Sequence, residues 1–163
     1  MNKSLFSLFI LSCLVYNISL GQDRQEVALG KYIITDAKMN GVDVTQEILE
    51  AEAFTVFYMY ENEEGLHMAN VWPKKNSQSY GSVSSFSIEY KKDTYEGYKA
   101  DYYSFDWHYT NDYDQKTGIA KVSVIEVFET QGVVLIMKMI TDDSDEIEYV
   151  GYMEGELDFS TFE

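Results

Sequence analysis

The side chains best suited to bind a small molecule are aromatic residues on predicted β-strands. Seven of them are candidates for the lining of a ligand cavity: Tyr58, Tyr60, Trp72, Tyr103, Phe105, Trp107 and Tyr109. The last four alternate with polar residues, so they share one face of a single strand. Flat aromatic walls bury apolar or ring-shaped molecules, and tyrosine hydroxyls add orienting hydrogen bonds. The alternative is that these side chains simply fill the interior of a small barrel.

Carboxylates and histidines are the other groups that could do chemistry. Asp112 and Asp114 offer two oxygen ligands to calcium, but the loop lacks the further carboxylates of a calcium site. The acids of residues 142–148 fit a solvated turn. His67 and His108 are the only imidazoles, and the chain has neither a nucleophile-elbow motif nor a glycine-rich phosphate loop. The sequence predicts no catalytic residues, no metal site and no cofactor.

Composition excludes several classes of protein. The 163 residues carry 12 basic and 28 acidic side chains, a net charge of −16, which argues against a chain that grips nucleic acid or anionic lipid. A single cysteine excludes a disulfide scaffold. The 14 Tyr, 9 Phe and 2 Trp exclude a disordered acidic tail, because such tails are poor in aromatic residues.

The first 22 residues have the pattern of an export signal. Lys3 supplies the positive start, residues 5–14 form an apolar run, and Gly21-Gln22 offers a small residue at a plausible cleavage point. Polar residues interrupt the run too early for a membrane-spanning helix, which needs about 20 mostly apolar residues. The sequence predicts a cleaved signal peptide over residues 1–22.

Cys13 offers a second interpretation, in which it is the acceptor of a lipoprotein anchor. Leu14 and Val15 continue the apolar run after it, whereas a mature lipoprotein turns polar there, so the cleaved signal is favoured. Residues 23–163 contain no Pro/Gly/Ser-rich linker and no repeat. We therefore expect one secreted or periplasmic domain with no further transmembrane segment.

Alternation of apolar and polar residues predicts an all-β domain with one short helix. The eight predicted strands cover residues 30–39, 54–60, 66–72, 80–90, 101–110, 119–128, 133–140 and 146–157. Asn40-Gly41 after the first strand is a strong hairpin signal. The helix is predicted over residues 45–53, with either Asp43 or Thr45 as its cap. In the strand 80–90, Tyr80 is expected on the same face as Phe86 and Ile88.

Eight sequential antiparallel strands leave two exposed edges unless the sheet closes. An up-and-down barrel removes both edges, and its interior is either filled by side chains or able to hold one small ligand. A two-sheet sandwich is the competing arrangement, but the short connections favour the barrel. The acidic face predicted for residues 146–156 argues against an outer-membrane barrel, whose strands present apolar residues to lipid.

The N-terminal strand resembles a known family. Gly30-Lys31-Tyr32, followed by Asn40-Gly41-Val42-Asp43-Val44-Thr45, is similar to the opening of bacterial lipocalin-like domains, although Tyr32 stands where that family usually has Trp. The resemblance implies an eight-stranded calycin-type barrel, usually with an internal pocket for a small apolar molecule.

Two functions follow as hypotheses. The first is an exported, non-enzymatic lipocalin-like protein that binds a small apolar or amphipathic molecule inside the barrel. The second is an acidic module of the cell envelope, whose carboxylates at residues 146–156 and in the turns bind a cationic partner or calcium. A hydrolase would require two carboxylates that converge in a cleft with raised pKa values, and no motif singles out such a pair.

Overall fold

A computed structural model describes residues 25–61, 63–89 and 94–162. The predictions for the leader 1–22 and for Cys13 therefore lie outside the described residues. The strands are β1 (Glu26–Met39), β2 (Val42–Asp43), β3 (Phe54–Tyr60), β4 (His67–Trp72), β5 (Ser77–Glu89), β6 (Thr94–Tyr95), β7 (Tyr98–Asn111), β8 (Thr117–Glu129), β9 (Gly132–Thr141) and β10 (Glu146–Gly155). One α-helix, α1 (Thr45–Glu50), and two 3-10 turns, Pro73–Lys75 and Phe159–Phe162, complete the described elements. No helix among the described residues is both long enough and apolar enough to cross a bilayer.

The sheet closes into an eight-stranded antiparallel barrel. Its strands follow the order β10, β9, β8, β7, β5, β4, β3, β1. The first and last strands pair with each other, from Gly30 opposite Gly155 to Met39 opposite Ile147. The two-residue strands β2 and β6 only extend the hairpins at β1 and β7. The predicted all-β up-and-down barrel with one short helix near its N-terminus is confirmed.

Alternation along the strands sends apolar side chains into the barrel and polar ones outward. On β8, Val122 and Val124 are buried, whereas Lys121 before them and Ser123 between them are exposed. On β10, Tyr149 is 2% exposed and belongs to the core inside the barrel. The acidic face predicted for β10 lies opposite Tyr149, on the outside of the barrel, so this prediction is confirmed.

The face predicted for Tyr80 on β5 is wrong. The register between β5 and β7 shifts between Ser84 and Ser87, and Ser85 adopts a left-handed conformation with φ 56°. Such a bulge adds one residue to the strand, so the inward and outward positions exchange beyond it. Phe86 therefore packs against the core, while Tyr80 packs in a separate apolar cluster on the outer face.

Helix α1 ends three residues earlier than predicted. Glu52 has φ 54°, a left-handed conformation that cannot continue a helix, and the chain turns away toward β3. Val44 occupies the N-cap position without a side-chain cap. Neither of the two predicted cap residues, Asp43 and Thr45, is therefore the N-cap. Both instead make hydrogen bonds just before the helix: the Asp43 carboxylate accepts from the Thr45 amide at 2.9 Å, and the Thr45 hydroxyl accepts from the Ala37 amide at 2.9 Å.

Each end of the barrel has its own covering segment. We call the end at which α1 lies the helix end; there Ile48 is buried against the core. We call the opposite end, where Phe159–Phe162 turns back over the barrel, the tail end. The Phe159 ring lies 5.2 Å from that of Phe57 and 5.1 Å from that of Tyr103, between ring centroids. The tail end is thus packed with aromatic side chains.

Two buried tyrosines predict a loss of stability at alkaline pH. The Tyr32 hydroxyl donates to the carbonyl oxygens of Leu135 at 2.9 Å and Tyr149 at 3.0 Å. Burial raises the pKa of the Tyr32 and Tyr149 phenols in the folded protein above the ordinary value of 10.0. The unfolded chain releases these protons near pH 10 and the folded chain retains them, so the stabilisation is complete below that pH and is lost above it.

Urea denaturation at a series of pH values measures this effect. The free energy of unfolding should fall above pH 10 by about 1.4 kcal/mol per pH unit for each of the two tyrosines. Tyr32→Phe keeps the ring but removes one titrating hydroxyl, so its slope should be shallower by about that amount. Equal slopes for the two proteins would contradict the prediction.

Candidate functional site

The helix end contains a cavity of about 290 Å³ that opens between the ends of the strands. Its lining comes from β4, β5, β7, β8, β9 and β10, so the closed barrel brings together residues that are far apart in the sequence. Aromatic and aliphatic side chains form much of the wall: Trp72, Trp107, Tyr109, Ala120, Met139, Ile147 and Tyr149. Amides, hydroxyls and one lysine complete it: Asn70, Lys75, Ser77, Gln78, Ser79, Asn111 and Thr141.

Trp107 and Tyr109 form a fixed aromatic wall of this cavity. The Trp107 indole N–H donates to the Met68 carbonyl oxygen at 3.1 Å, which sets the orientation of its ring. The Tyr109 ring centroid lies 5.0 Å away. Gly118 faces Tyr109 on β8, and a Cβ atom there would lie 2.6 Å from the Tyr109 hydroxyl oxygen. A side chain at residue 118 would therefore clash with the Tyr109 ring in its present position. Burial raises the pKa of the Tyr109 phenol, so it is a neutral donor at physiological pH.

Asn70 is a buried polar group in the cavity wall. Its Oδ1 accepts from the Thr55 hydroxyl at 2.5 Å, so both residues are tied together inside the barrel. Its Nδ2 donates to the sulfur of Met139 at 3.7 Å, and a thioether is a weak acceptor. A ligand oxygen in the cavity would be a better acceptor for this amide than the sulfur is.

Trp72 and Lys75 form the rim of the cavity. Trp72 immediately precedes the Pro73–Lys75 turn, and Lys75 is its last residue. Asn76 then takes a left-handed conformation that leads the chain into β5. The Lys75 ammonium lies 4.5 Å from the centre of the Trp72 ring and 2.6 Å from Glu47 Oε1 on α1. Both ends of this ion pair are well exposed, 47% for the lysine side chain and 61% for the glutamate side chain.

The structure brings together three of the seven predicted aromatic residues, Trp72, Trp107 and Tyr109, in the helix-end cavity. Phe105 lies deeper, in the packed middle of the barrel. It is 3% exposed, and its ring is 6.4 Å from that of Phe57 between centroids. Tyr103 lines a different cavity, at the tail end. The strand β7 thus carries cavity walls near its two ends and core packing between them.

Tyr58 and Tyr60 do not reach the helix-end cavity. Phe57 points into the barrel, where its ring packs against Phe159, so the alternation of β3 turns Tyr58 and Tyr60 to the outer face. There the Tyr58 and Tyr60 ring centroids lie 5.3 Å and 4.8 Å from that of His67. These two tyrosines form part of an outer apolar cluster and not of the ligand cavity.

A second cavity, of about 390 Å³, lies at the tail end. Its lining includes three carboxylates, those of Asp101, Glu126 and Asp158. Glu126 Oε2 accepts from the Tyr103 hydroxyl at 3.0 Å. Asp158 Oδ1 accepts from the Ser160 amide at 2.9 Å, and hydrogen bonds from the Ser160 side chain and backbone lower the pKa of this carboxyl. These two carboxylates already serve the local structure.

The acidic turns are similarly engaged with the protein itself. Asp112 Oδ1 accepts from the Gln78 amide at 2.8 Å, and Asp114 Oδ1 accepts from the Lys116 amide at 3.0 Å. Within 25–61, 63–89 and 94–162, no group of three or more His, Cys, Asp and Glu side chains is arranged to hold a metal ion.

Part of the acidic face of β10 is neutralised by lysines on the flanking strands. Glu148 pairs with Lys38 at 3.3 Å and with Lys138 at 2.9 Å. The Lys138 hydrogen bond is the larger cause of a lowered pKa for this carboxyl. A cationic partner at Glu148 would have to displace these two lysines, and no contact among the described residues indicates such a partner.

One serine and histidine meet on the outer surface. Ser84 Oγ and His108 Nε2 lie 2.9 Å apart, and His108 is exposed. A serine nucleophile also needs a group that orients the histidine and donors that stabilise an oxyanion. Among the described residues His108 has no carboxylate partner, so this pair lacks the orienting group.

The polar lining was not predicted from the sequence. Asn70, Ser77 and Ser79 are ordinary strand residues whose position inside the barrel depends on the pairing of β4 with β5. Lys75 is the one polar lining residue that the sequence could have indicated, because it lies three residues after Trp72, at the end of a short turn that begins with a proline. Proximity to a predicted cavity residue across a short turn could have identified it.

Comparisons of this chain with family models, with curated proteins and with solved structures find no match. The shape, the lining and the charge of the helix-end cavity are therefore the features that indicate a function.

Proposed function

We propose that this chain is an exported, non-enzymatic, lipocalin-like protein that binds a small apolar or amphipathic molecule in the helix-end cavity. The observation that carries the proposal is the position of both tryptophans of the chain, Trp72 and Trp107, at one open cavity of about 290 Å³. Eight-stranded barrels have interiors that can hold one small ligand. Tryptophan at a cavity open to solvent offers a large apolar surface for that ligand.

The cavity suits a compact ligand. Pockets for small organic molecules span about 300–1,000 Å³, so this one is at the lower limit and fits a compact molecule of two or three rings or a short chain. The indole of Trp107 and the phenol of Tyr109 provide flat walls, and the Asn70 amide provides a hydrogen-bond donor within the cavity. A ligand with an apolar body and at least one oxygen acceptor matches these groups.

The chemistry of the lining supports binding in preference to catalysis. Its polar groups are amides and hydroxyls, which orient a ligand, together with the ammonium of Lys75. General acid–base catalysis and nucleophilic catalysis both use a titratable group near a reacting atom, most often histidine, a carboxylate or cysteine. The described lining residues include none of those three types.

The two tryptophans allow a direct binding test. Phenylnaphthylamine is a neutral apolar probe that absorbs where tryptophan emits, so binding beside the indoles should produce saturable energy transfer with one probe per protein. Trp72→Ala should weaken binding several-fold, because it removes one wall of the cavity. Tyr113→Ala is the control, since Tyr113 is 84% exposed and does not line the cavity. Absence of saturable transfer up to the solubility of the probe would refute the proposal.

Export remains a proposal supported by the leader pattern of residues 1–22. N-terminal sequencing of the protein from its natural source tests it. A mature chain that begins near Gln22 is expected, and a protein that still begins at Met1 would contradict it.

A further inference from the structure

The two ends of the barrel differ in charge. The chain has a net charge of −16, and the tail-end cavity includes the carboxylates of Asp101, Glu126 and Asp158 in its lining. Among the described residues that line the helix-end cavity there is no carboxylate, and the one charged group is the ammonium of Lys75. The carboxylates nearest the lining are engaged with backbone amides: Asp112 accepts from the Gln78 amide at 2.8 Å, and Asp142 accepts from the Ile119 amide at 3.2 Å. The charged group within the lining is therefore positive, and it favours a ligand of negative charge.

Lys75 is placed to meet the charged group of such a ligand. Its ammonium lies over the Trp72 ring at 4.5 Å, at the rim where the aromatic wall ends. A ligand whose apolar body contacts Trp72 and Trp107 would carry its acid group to this ammonium. A cationic ligand would be repelled there, because Lys75 already occupies the face of Trp72 that would bind a cation.

Glu47 holds Lys75 when no ligand is bound. It lies on α1, it is not part of the cavity lining, and its Oε1 is 2.6 Å from the lysine ammonium. Exposed ion pairs of this kind contribute little to stability, so exchanging one carboxylate partner for another costs little. Glu47 is therefore an internal competitor for the site that a ligand carboxylate would take.

Taking the proposed function as its basis, we propose that the ligand is an anionic amphiphile, with a compact apolar body and a carboxylate, sulfonate or similar acid group. Lys75 selects it by charge, and Glu47 is displaced from Lys75 when it binds. Lys75 is thus a specificity-determining residue of the helix-end cavity.

Two probes that differ in one sulfonate group test the charge selection. Anilinonaphthalenesulfonate is phenylnaphthylamine with that group added, so the ratio of their dissociation constants isolates the effect of charge. Lys75→Gln should weaken binding of the sulfonate about fivefold relative to the neutral probe. Glu47→Gln should strengthen it about two- to fivefold, because the competing carboxylate is gone. Lys121→Gln, an exposed lysine on the outer face of β8, is the matched control and should leave the ratio unchanged.

The outcomes separate this inference from the proposed function. Opposite shifts of the ratio in Lys75→Gln and Glu47→Gln, with none in Lys121→Gln, support charge selection by Lys75. Saturable binding of the neutral probe with an unchanged ratio in both variants would overturn the charge selection and leave the cavity as a binding site. A failure of both probes to bind would overturn the proposed function as well. The variants replace exposed side chains, and thermal melts check that each one folds.

Discussion

Replacing Gly151 with alanine is expected to lower the free energy of unfolding by about 3 kcal/mol or more, because it disrupts the closure of the barrel. Gly151 lies on β10 opposite Ile34 of β1, at the seam between the last and first strands. A Cβ atom at this position would lie 1.9 Å from the carbonyl oxygen of Ile33. That oxygen belongs to the backbone, so the two strands must move apart to accept the methyl group.

The matched control for this substitution is Gly41→Ala. Gly41 follows Asn40 in the hairpin after β1, both in left-handed conformations, as the Asn-Gly pair predicted. With φ +76° and no other atom within 4 Å of an added Cβ, alanine at Gly41 meets conformational strain but no clash. Its expected cost is about 1 kcal/mol. Urea denaturation of both variants measures the difference, and a Gly151→Ala protein no less stable than Gly41→Ala would contradict a closed seam.

Filling the cavity should abolish most of the binding. Ala120 lies on β8 opposite Trp107, is 1% exposed and lines the helix-end cavity. Leucine there places three more carbon atoms in the space proposed for the ligand, so Ala120→Leu is expected to weaken phenylnaphthylamine binding at least tenfold, about 1.4 kcal/mol. Energy transfer from the tryptophans measures the dissociation constant in each variant.

Ala28→Leu is the control for that experiment. Ala28 pairs with Tyr58 on the outer face of the barrel and is half-buried, so the same added atoms lie outside the cavity. Its binding should match that of the unmodified protein. Unchanged binding in Ala120→Leu would place the probe elsewhere, with the tail-end cavity of about 390 Å³ as the alternative.

The architecture could be predicted because most strands alternate. On β7 the alternate residues Tyr103, Phe105, Trp107 and Tyr109 are aromatic, and on β10 Ile147, Tyr149 and Met153 lie opposite acidic residues, so the inner face is visible in the sequence and the register follows from it. The bulge at Ser85 could not be predicted, because the neighbouring residues are also serines and no residue type there identifies the one that does not pair with β7. Tyr80 was therefore assigned to the same face as Phe86 and Ile88, although it lies on the opposite, outer face.

The candidate site was predictable in part for the same reason. Trp107 and Tyr109 lie on the cleanly alternating β7, and their inward direction could be derived. Residues 54–60 are nearly all apolar, so alternation does not distinguish their faces, and Tyr58 and Tyr60 were assigned to the cavity although they face outward. The Asn70 amide is held by Thr55 on β3 and by Met139 on β9, and a sequence does not display these contacts.

The most direct test of the account is a two-dimensional NMR titration that follows the indole N–H signals of the chain's two tryptophans, Trp72 and Trp107. We expect both signals to move on addition of anilinonaphthalenesulfonate, to saturate with one dissociation constant, and to stay fixed in Ala120→Leu. Indole signals that remain in place while the probe binds elsewhere, or that move equally in Ala120→Leu, would contradict a ligand site at the helix end of the barrel.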